Sequence, residues 1–186
     1  MNYICFFKTK GLLLYRRIIE GLGDTESPIL LIIKMITKEK IQFLVEEVLV
    51  EDQFIVDITV GLGNAISVSV DRDAGISVGE CVQISRHIES SLDREVEDFS
   101  LEVSSPGLSL PFKVVRQYLK NLGREVEVVT LSGEKKKGIL KSADSTGFEL
   151  ELAVKEKVDG KKVEVAQSLT YNFDQIKTVK IVISFN

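Results

Sequence analysis

Between Thr37 and Val103 the apolar positions change period several times, and each change marks an element. Ile41, Leu44, Val45, Val48 and Leu49 follow the i, i+3, i+4, i+7, i+8 spacing of one helical face, with Thr37 placed as an N-cap. From Phe54 the period becomes two: Phe54, Val56, Ile58 and Val60 are expected on one face of a strand, Asp57 and Thr59 on the other. Gly61-Leu62-Gly63-Asn64 reads as a hairpin turn, after which Ala65 to Val70 alternates again. Ser77-Val78-Gly79-Glu80 has the form of a capping box, and Cys81, Ile84, Ile88 and Leu92 make the stripe of a second helix. Phe99, Leu101 and Val103 alternate with Ser100 and Glu102 in a third strand. The order αββαβ predicts a three-stranded sheet with two helices on one face, an α+β domain.

Pro106-Gly107 ends that strand, since proline cannot donate to a ladder and glycine permits a sharp turn. A short helix is expected over 112–121, with Val115, Tyr118 and Leu119 on one side and Gly123 past its end as a C-cap. The rest is nearly all strand: 125–131, 135–143, 148–154, 163–171 and 176–185. Ser132-Gly133, Ser145-Thr146-Gly147 and Asp159-Gly160 are turns, and Phe173-Asp174-Gln175 forms one turn of helix before the last strand. Five short strands with tight turns predict a small SH3-like or Sm-like barrel. The domain organisation is therefore 35–105 for the α/β domain, 106–122 for the linker and short helix, and 123–186 for the barrel.

Residues 1–34 stand apart. Their apolar runs are cut by Arg16-Arg17 and by Lys34, well short of the roughly 18–20 residues that span a bilayer. Met35-Ile36-Thr37-Lys38-Glu39-Lys40 reads like the start of a protein, so 1–34 are read as a non-native or disordered extension. The other reading is a genuine extension packed on the first domain.

Charge changes the picture more than composition does. The net charge is −4, but residues 35–105 hold 5 Lys/Arg against 15 Asp/Glu, a net −10. Residues 106–186 hold 14 against 10, a net +4, and residues 1–34 add 5 against 3, a net +2. A chain whose halves differ in sign can meet a basic protein with one and a phosphate backbone with the other. The alternative is two solvated faces.

Candidate chemistry is sparse. Cys5 and Cys81 have neither a zinc-ligand spacing nor disulfide-scaffold density, which fits a reducing cytoplasm. Cys81 sits on an apolar stripe, as a small core residue does. The single histidine, His87, has no nucleophile or orienting partner nominated by the sequence and reads as a surface residue. Gly61-Leu62-Gly63 is followed by a strand rather than the helix N-terminus that a phosphate cradle needs. Asp93, Glu95, Glu97 and Asp98 look like a solvated helix end. No enzyme, cofactor, metal or small-molecule substrate is indicated.

Lys135-Lys136-Lys137 with Lys141 is the sharpest basic feature, and Lys113, Arg116, Lys120 and Arg124 extend it if the linker helix packs beside the barrel. Lysines in this setting contact phosphates without reading bases. Lysines also protect sheet edges from pairing, so a solvated edge strand is an equal alternative. Tyr118, Phe148 and Tyr171 sit where core aromatics are expected.

Leu101-Glu102-Val103-Ser104-Ser105-Pro106-Gly107-Leu108 is similar to the signature of the ribosome maturation factor RimP family. Asp71, Gly75-Ile76-Ser77-Val78, Glu80-Cys81 and Ile84-Ser85-Arg86 resemble that family's loop-and-helix pattern. Gly123-Arg124-Glu125-Val126 and Phe173-Asp174-Gln175-Ile176 fit it downstream, so the resemblance runs from Thr37 to the C-terminus. It implies an α/β domain followed by an SH3-like barrel, joined at Ser104, Ser105, Pro106 and Gly107. It implies a non-catalytic factor that binds the immature small (30S) ribosomal subunit, with ribosomal RNA and a basic ribosomal protein as the expected partners; nothing in the sequence suggests an obligate dimer, and a monomer is expected. Lys113, Arg116, Arg124, Lys135, Lys136, Lys137 and Lys141 are the expected RNA-binding residues. A general Sm-like RNA-binding regulator is the alternative. The chain departs from the family at Ser109-Leu110-Pro111, where Asp-Arg-Pro is common, so an arginine is missing at Leu110. If that arginine makes a phosphate contact or an interdomain ion pair, Lys113, Arg116 or Arg124 must compensate.

Overall fold

A computed structural model describes residues 36–158 and 161–183, with 154–158 and 161–165 described by their backbone alone. Residues 1–34, Cys5 and the Asp159-Gly160 turn therefore lie outside the described residues.

Helix α1 (Lys38–Val48) starts where Thr37 caps it, the Thr37 hydroxyl accepting from the Lys40 N–H at 3.2 Å. Strands β1 (Gln53–Val60) and β2 (Ala65–Arg72) pair antiparallel across the expected turn, where Asn64 adopts a left-handed φ of 53°. Helix α2 (Val78–Ser91) opens with the capping box in both directions. The Glu80 N–H donates to the Ser77 hydroxyl at 3.3 Å, and the Ser77 N–H donates to the Glu80 carboxylate at 2.8 Å. Strand β3 (Ser100–Ser104) then runs parallel to β2, so β2 is central. Ile41, Val45, Ile58, Ile66, Val68, Val70, Cys81, Ile84 and Ile88 fill the core between this sheet and its two helices.

The period-two reading of β1 needs a correction. A bulge between Ile55 and Asp57 inserts one residue and shifts the alternation. Ile55, Ile58 and Val60 pair with Val70, Val68 and Ile66 on the helix-covered face. Phe54 pairs with Asp71 on the opposite face, and it is buried there away from α1 and α2. Glu97 also departs from a solvated helix end: its carboxylate accepts from the Ile36 N–H and from the Asn64 side-chain amide, both at 3.0 Å.

The second half is a five-stranded antiparallel sheet. Its strands are β4 (Glu125–Thr130), β5 (Lys135–Ala143), β6 (Gly147–Val158), β7 (Lys161–Asn172) and β8 (Ile176–Ile181), in the order β7-β6-β5-β4-β8. This is the expected small-barrel strand set, although no ladder joins β7 to β8 among the described residues. The 3-10 turn Phe173–Gln175 crosses the gap between them, the Phe173 N–H reaching Thr146 O and Gln175 O accepting from the Leu131 N–H. Curvature requires a glycine at 138, because a Cβ there would lie 2.4 Å from the Glu151 carbonyl oxygen.

Helix α3 (Val115–Lys120) is shorter than expected. Phe112 is taken by the sheet, its N–H donating to Val179 O at 2.8 Å, and the Gln117 side-chain carbonyl caps the helix by accepting from the Lys113 and Val114 N–H groups. Tyr118 is buried, but Leu119 is half exposed, and the buried partners are Gln117 and Asn121 instead. Tyr118 packs edge-on against Phe112 and Phe173 and tilted against Phe148, so α3 closes the second core. Burial pushes the Tyr118 hydroxyl up to about 12.

Candidate functional site

The face of the first sheet opposite α1 and α2 carries Phe54, Asp57 and Asp71, and the loop after β2 adds Asp73. The segment ending in α3 lies against this face and presents three cations to it. Lys113 pairs with Asp57, Lys120 with Asp71 at 2.7 Å, and Arg116 with Asp73 at 2.7 Å. Arg116 adds a second bond to Asp73 at 2.9 Å and donates to Glu51 O at 3.2 Å, while its guanidinium sits 4.8 Å from the centre of the Phe54 ring. A flat, weakly hydrated guanidinium suits this combination of fork and ring contact. The Lys120 ammonium also donates to Arg72 O at 2.7 Å. The bulge in β1 matters here, because it turns Phe54 and Asp57 toward these cations.

Two of these contacts favour the charged form of a carboxylate. The Lys113 ammonium holds the Asp57 carboxyl below its usual range, and the Arg116 guanidinium does the same to Asp73. Behind the latch, Arg72 pairs with Asp52 at 2.6 Å and with Glu80 at 2.7 Å. Glu80 is held down at about 2, first by the Ser77 hydroxyl and backbone N–H and then by the Gln53 amide and Arg72. The loop Asp71-Arg72-Asp73 is thus tied to α3 on one side and to the start of α2 on the other.

The expected RNA-binding residues fall into separate places. Lys113 and Arg116 are engaged inside the molecule with the first half. Arg124 is exposed with no ion pair among the described residues, and it lines a crevice of about 210 Å³ that it shares with Asp71, Lys120 and Pro106. On β5, Lys136 has the parity of the buried Leu140 and points inward at the rim, paired with Glu134 at 3.1 Å. That bond raises its pKa, with a further contribution from Tyr171. Lys141 pairs with Glu151 at 3.1 Å. Of the four β5 lysines, Lys135 and Lys137 project outward without a carboxylate hydrogen-bonded to them among the described residues.

Sequence reasoning missed Lys180. The β4–β8 register sets Lys180 opposite Glu127, and the β4–β5 register sets Lys137 opposite the same glutamate. Lys180 binds Glu127 at 3.2 Å, and with Lys137 and Lys135 nearby it lowers the Glu127 pKa. No local signal reveals this cluster, since it exists only through strand pairing. The latch did leave a signal. Lys113, Arg116 and Lys120 recur at i, i+3 and i+7, the spacing of one helical face, and Asp71 and Asp73 alternate at a strand end.

At the junction, Ser104 ends β3 opposite Ser69, and Gly107 O accepts the Leu110 N–H at 3.0 Å in a tight turn. Leu110 is exposed and rests on Gly107. The ion pairs between the halves are therefore made without any cation at position 110. No described helix is long and apolar enough to cross a membrane.

Residues 44–109 match the RimP N-terminal domain. Ribosome maturation factor RimP of Christiangramia forsetii is 40% identical over 152 residues, covering 80% of this chain and 99% of that protein. The RimP of Porphyromonas gingivalis strain W83 is 37% identical over 146 residues, covering 77% and 96%, and that of Flavobacterium psychrophilum is 45% identical over 98 residues, covering 52% and 64%. The chain belongs to the ribosome maturation factor RimP family.

Proposed function

We propose that this protein promotes maturation of the small (30S) ribosomal subunit by binding, without catalysis. Its partners in this reading are immature subunit RNA and a neighbouring basic ribosomal protein, met by a monomer in the cytoplasm. The observation that carries the proposal is the division of charge. The first half holds 15 carboxylates against 5 cations, whereas Lys135, Lys137 and Lys180 gather on the outer face of the second. Complementary potentials of this kind speed encounter and fix orientation more than they add raw affinity.

In this reading the acidic face of the first half meets the basic protein and the lysine face meets RNA. Ion pairs between the halves hold the two faces in a set relation, which suits recognition of a composite RNA–protein site. Sedimentation of a lysate containing the tagged chain tests this. Co-migration with free small subunits, and accumulation of unprocessed small-subunit RNA when the gene is lost, are expected. Migration with free RNA alone would favour a general Sm-like regulator instead.

A further inference from the structure

We propose that the outer face of strands β4, β5 and β8 is a track for the sugar–phosphate backbone of RNA, formed by Lys135, Lys137 and Lys180 around Glu127. This rests on the ribosomal reading above and names the surface that serves it.

Strand pairing builds the surface. Lys180, Glu127 and Lys137 lie side by side on three adjacent strands, about 4.8 Å from one strand to the next. Lys135 precedes Lys137 by two residues on the same face of β5, about 7 Å along the strand. Three ammonium groups surround Glu127, and with Glu125 two residues along β4 on the same face one positive charge remains in excess. Glu127 binds Lys180 directly, so Lys135 and Lys137 stay available. The cavity of about 240 Å³ beside them is lined by Glu127, Lys137 and Lys180, with Ser109 of the junction at its edge.

The chemistry of the face selects the ligand. The neighbouring outward positions on these strands are Glu125, Val129, Ile139 and Thr178, none of them aromatic, so this face offers no platform for stacked bases. Lysine is a compact point charge with rotatable donors, suited to phosphates rather than to base edges. Glu127 has a definite role here: it orients Lys180 in the free protein and opposes an approaching phosphate. Its removal should therefore strengthen binding, which distinguishes an anion track from a solvated lysine surface.

The test measures binding of the full chain to a short labelled RNA duplex of arbitrary sequence across a salt series. Lys135→Ala/Lys137→Ala/Lys180→Ala should weaken binding about tenfold or more and reduce the slope of log affinity against log salt by roughly 0.7–0.9 for each phosphate that is no longer neutralised. Glu127→Gln should tighten binding, and a duplex of shuffled sequence should bind equally. Unchanged affinity and slope in the triple variant, no tightening by Glu127→Gln, or a strong preference between the duplexes would each overturn the assignment. Co-sedimentation with small subunits is scored in parallel. If the wild type fails to travel with them, the ribosomal reading fails, while the duplex assay still decides the RNA track. If wild type and triple variant both travel equally well, the track alone is wrong.

Discussion

Arg116 and Asp73, 43 residues apart in sequence, meet through two hydrogen bonds, Nε to Oδ1 at 2.9 Å and Nη2 to Oδ2 at 2.7 Å. The pair joins α3 of the second half to the loop after β2 of the first. Both side chains keep solvent contact, 35% for Arg116 and 51% for Asp73, so screening limits the gain. A double-mutant cycle with Arg116→Ala and Asp73→Ala should give a coupling of about 0.5–1 kcal/mol by chemical denaturation. Arg116→Ala should cost more than Asp73→Ala, because it also removes the Phe54 ring contact and the bond to Glu51 O. Additive effects would mean that the fork contributes nothing.

Lys120 and Asp71 form the more buried pair, with side chains 20% and 9% exposed. Lys120→Ala leaves the nearly buried Asp71 carboxylate with the Arg72 N–H but without its ion-pair partner, at a cost of about 3 kcal/mol. Lys120→Met with Asp71→Asn should recover much of that loss, because the stranded charge goes with its partner. Thermal unfolding of the three variants checks the order: the single variant lowest, the double variant between it and wild type.

The junction also sets a pH response. Asp57 and Asp73 have lowered pKa values in the folded protein, because Lys113 and Arg116 favour their charged forms. Their contribution is therefore complete above the ordinary aspartate value of about 4 and is lost as pH falls through the lowered values. Scattering profiles at constant ionic strength should stay unchanged from neutral pH to about 5 and shift only on further acidification. A change between pH 7 and 6 would contradict the assignment to these two aspartates.

Most elements were legible because local chemistry and tertiary packing agree. Thr37 and Ser77 cap the helices their positions announced, and Cys81, Ile84, Ile88 and Leu92 lie inward as their spacing requires. The strand face at Phe54 was misread because one bulged residue reverses the alternation, and nothing in Phe54-Ile55-Val56-Asp57 marks it. The start of α3 was misread because Phe112 has a competing partner in the last strand. The site was legible only in part. Composition located the cations, but not which of them a carboxylate from elsewhere in the chain would engage. Lys113 and Arg116 turn inward, whereas Lys180 turns outward through a register no local pattern encodes.

Gly138 tests the curvature of the second half. Gly138→Ala places a methyl group against the Glu151 carbonyl, and the cost should be about 1–3 kcal/mol, seen as a lower melting temperature. Ser77→Ala should cost about 1 kcal/mol through loss of the cap. It should also raise the Glu80 pKa from about 2 toward the ordinary range, since the Ser77 hydroxyl is the largest cause of its lowering. An NMR titration of Glu80 that shows no movement would assign the lowering to the Ser77 N–H, Gln53 and Arg72 instead.

The central claim is that Lys113, Arg116 and Lys120 join the halves, whereas Lys135, Lys137 and Lys180 are left for the ribosome. A charge swap separates the two roles most directly. Arg116→Asp places two aspartates together and should reduce co-migration of the tagged chain with small subunits. Adding Asp73→Arg restores an opposite pair across the same junction, and co-migration should return. A double variant that remains off the subunits, with wild-type thermal stability and an unchanged scattering profile, would show that Arg116 serves the ribosome itself and would contradict the division.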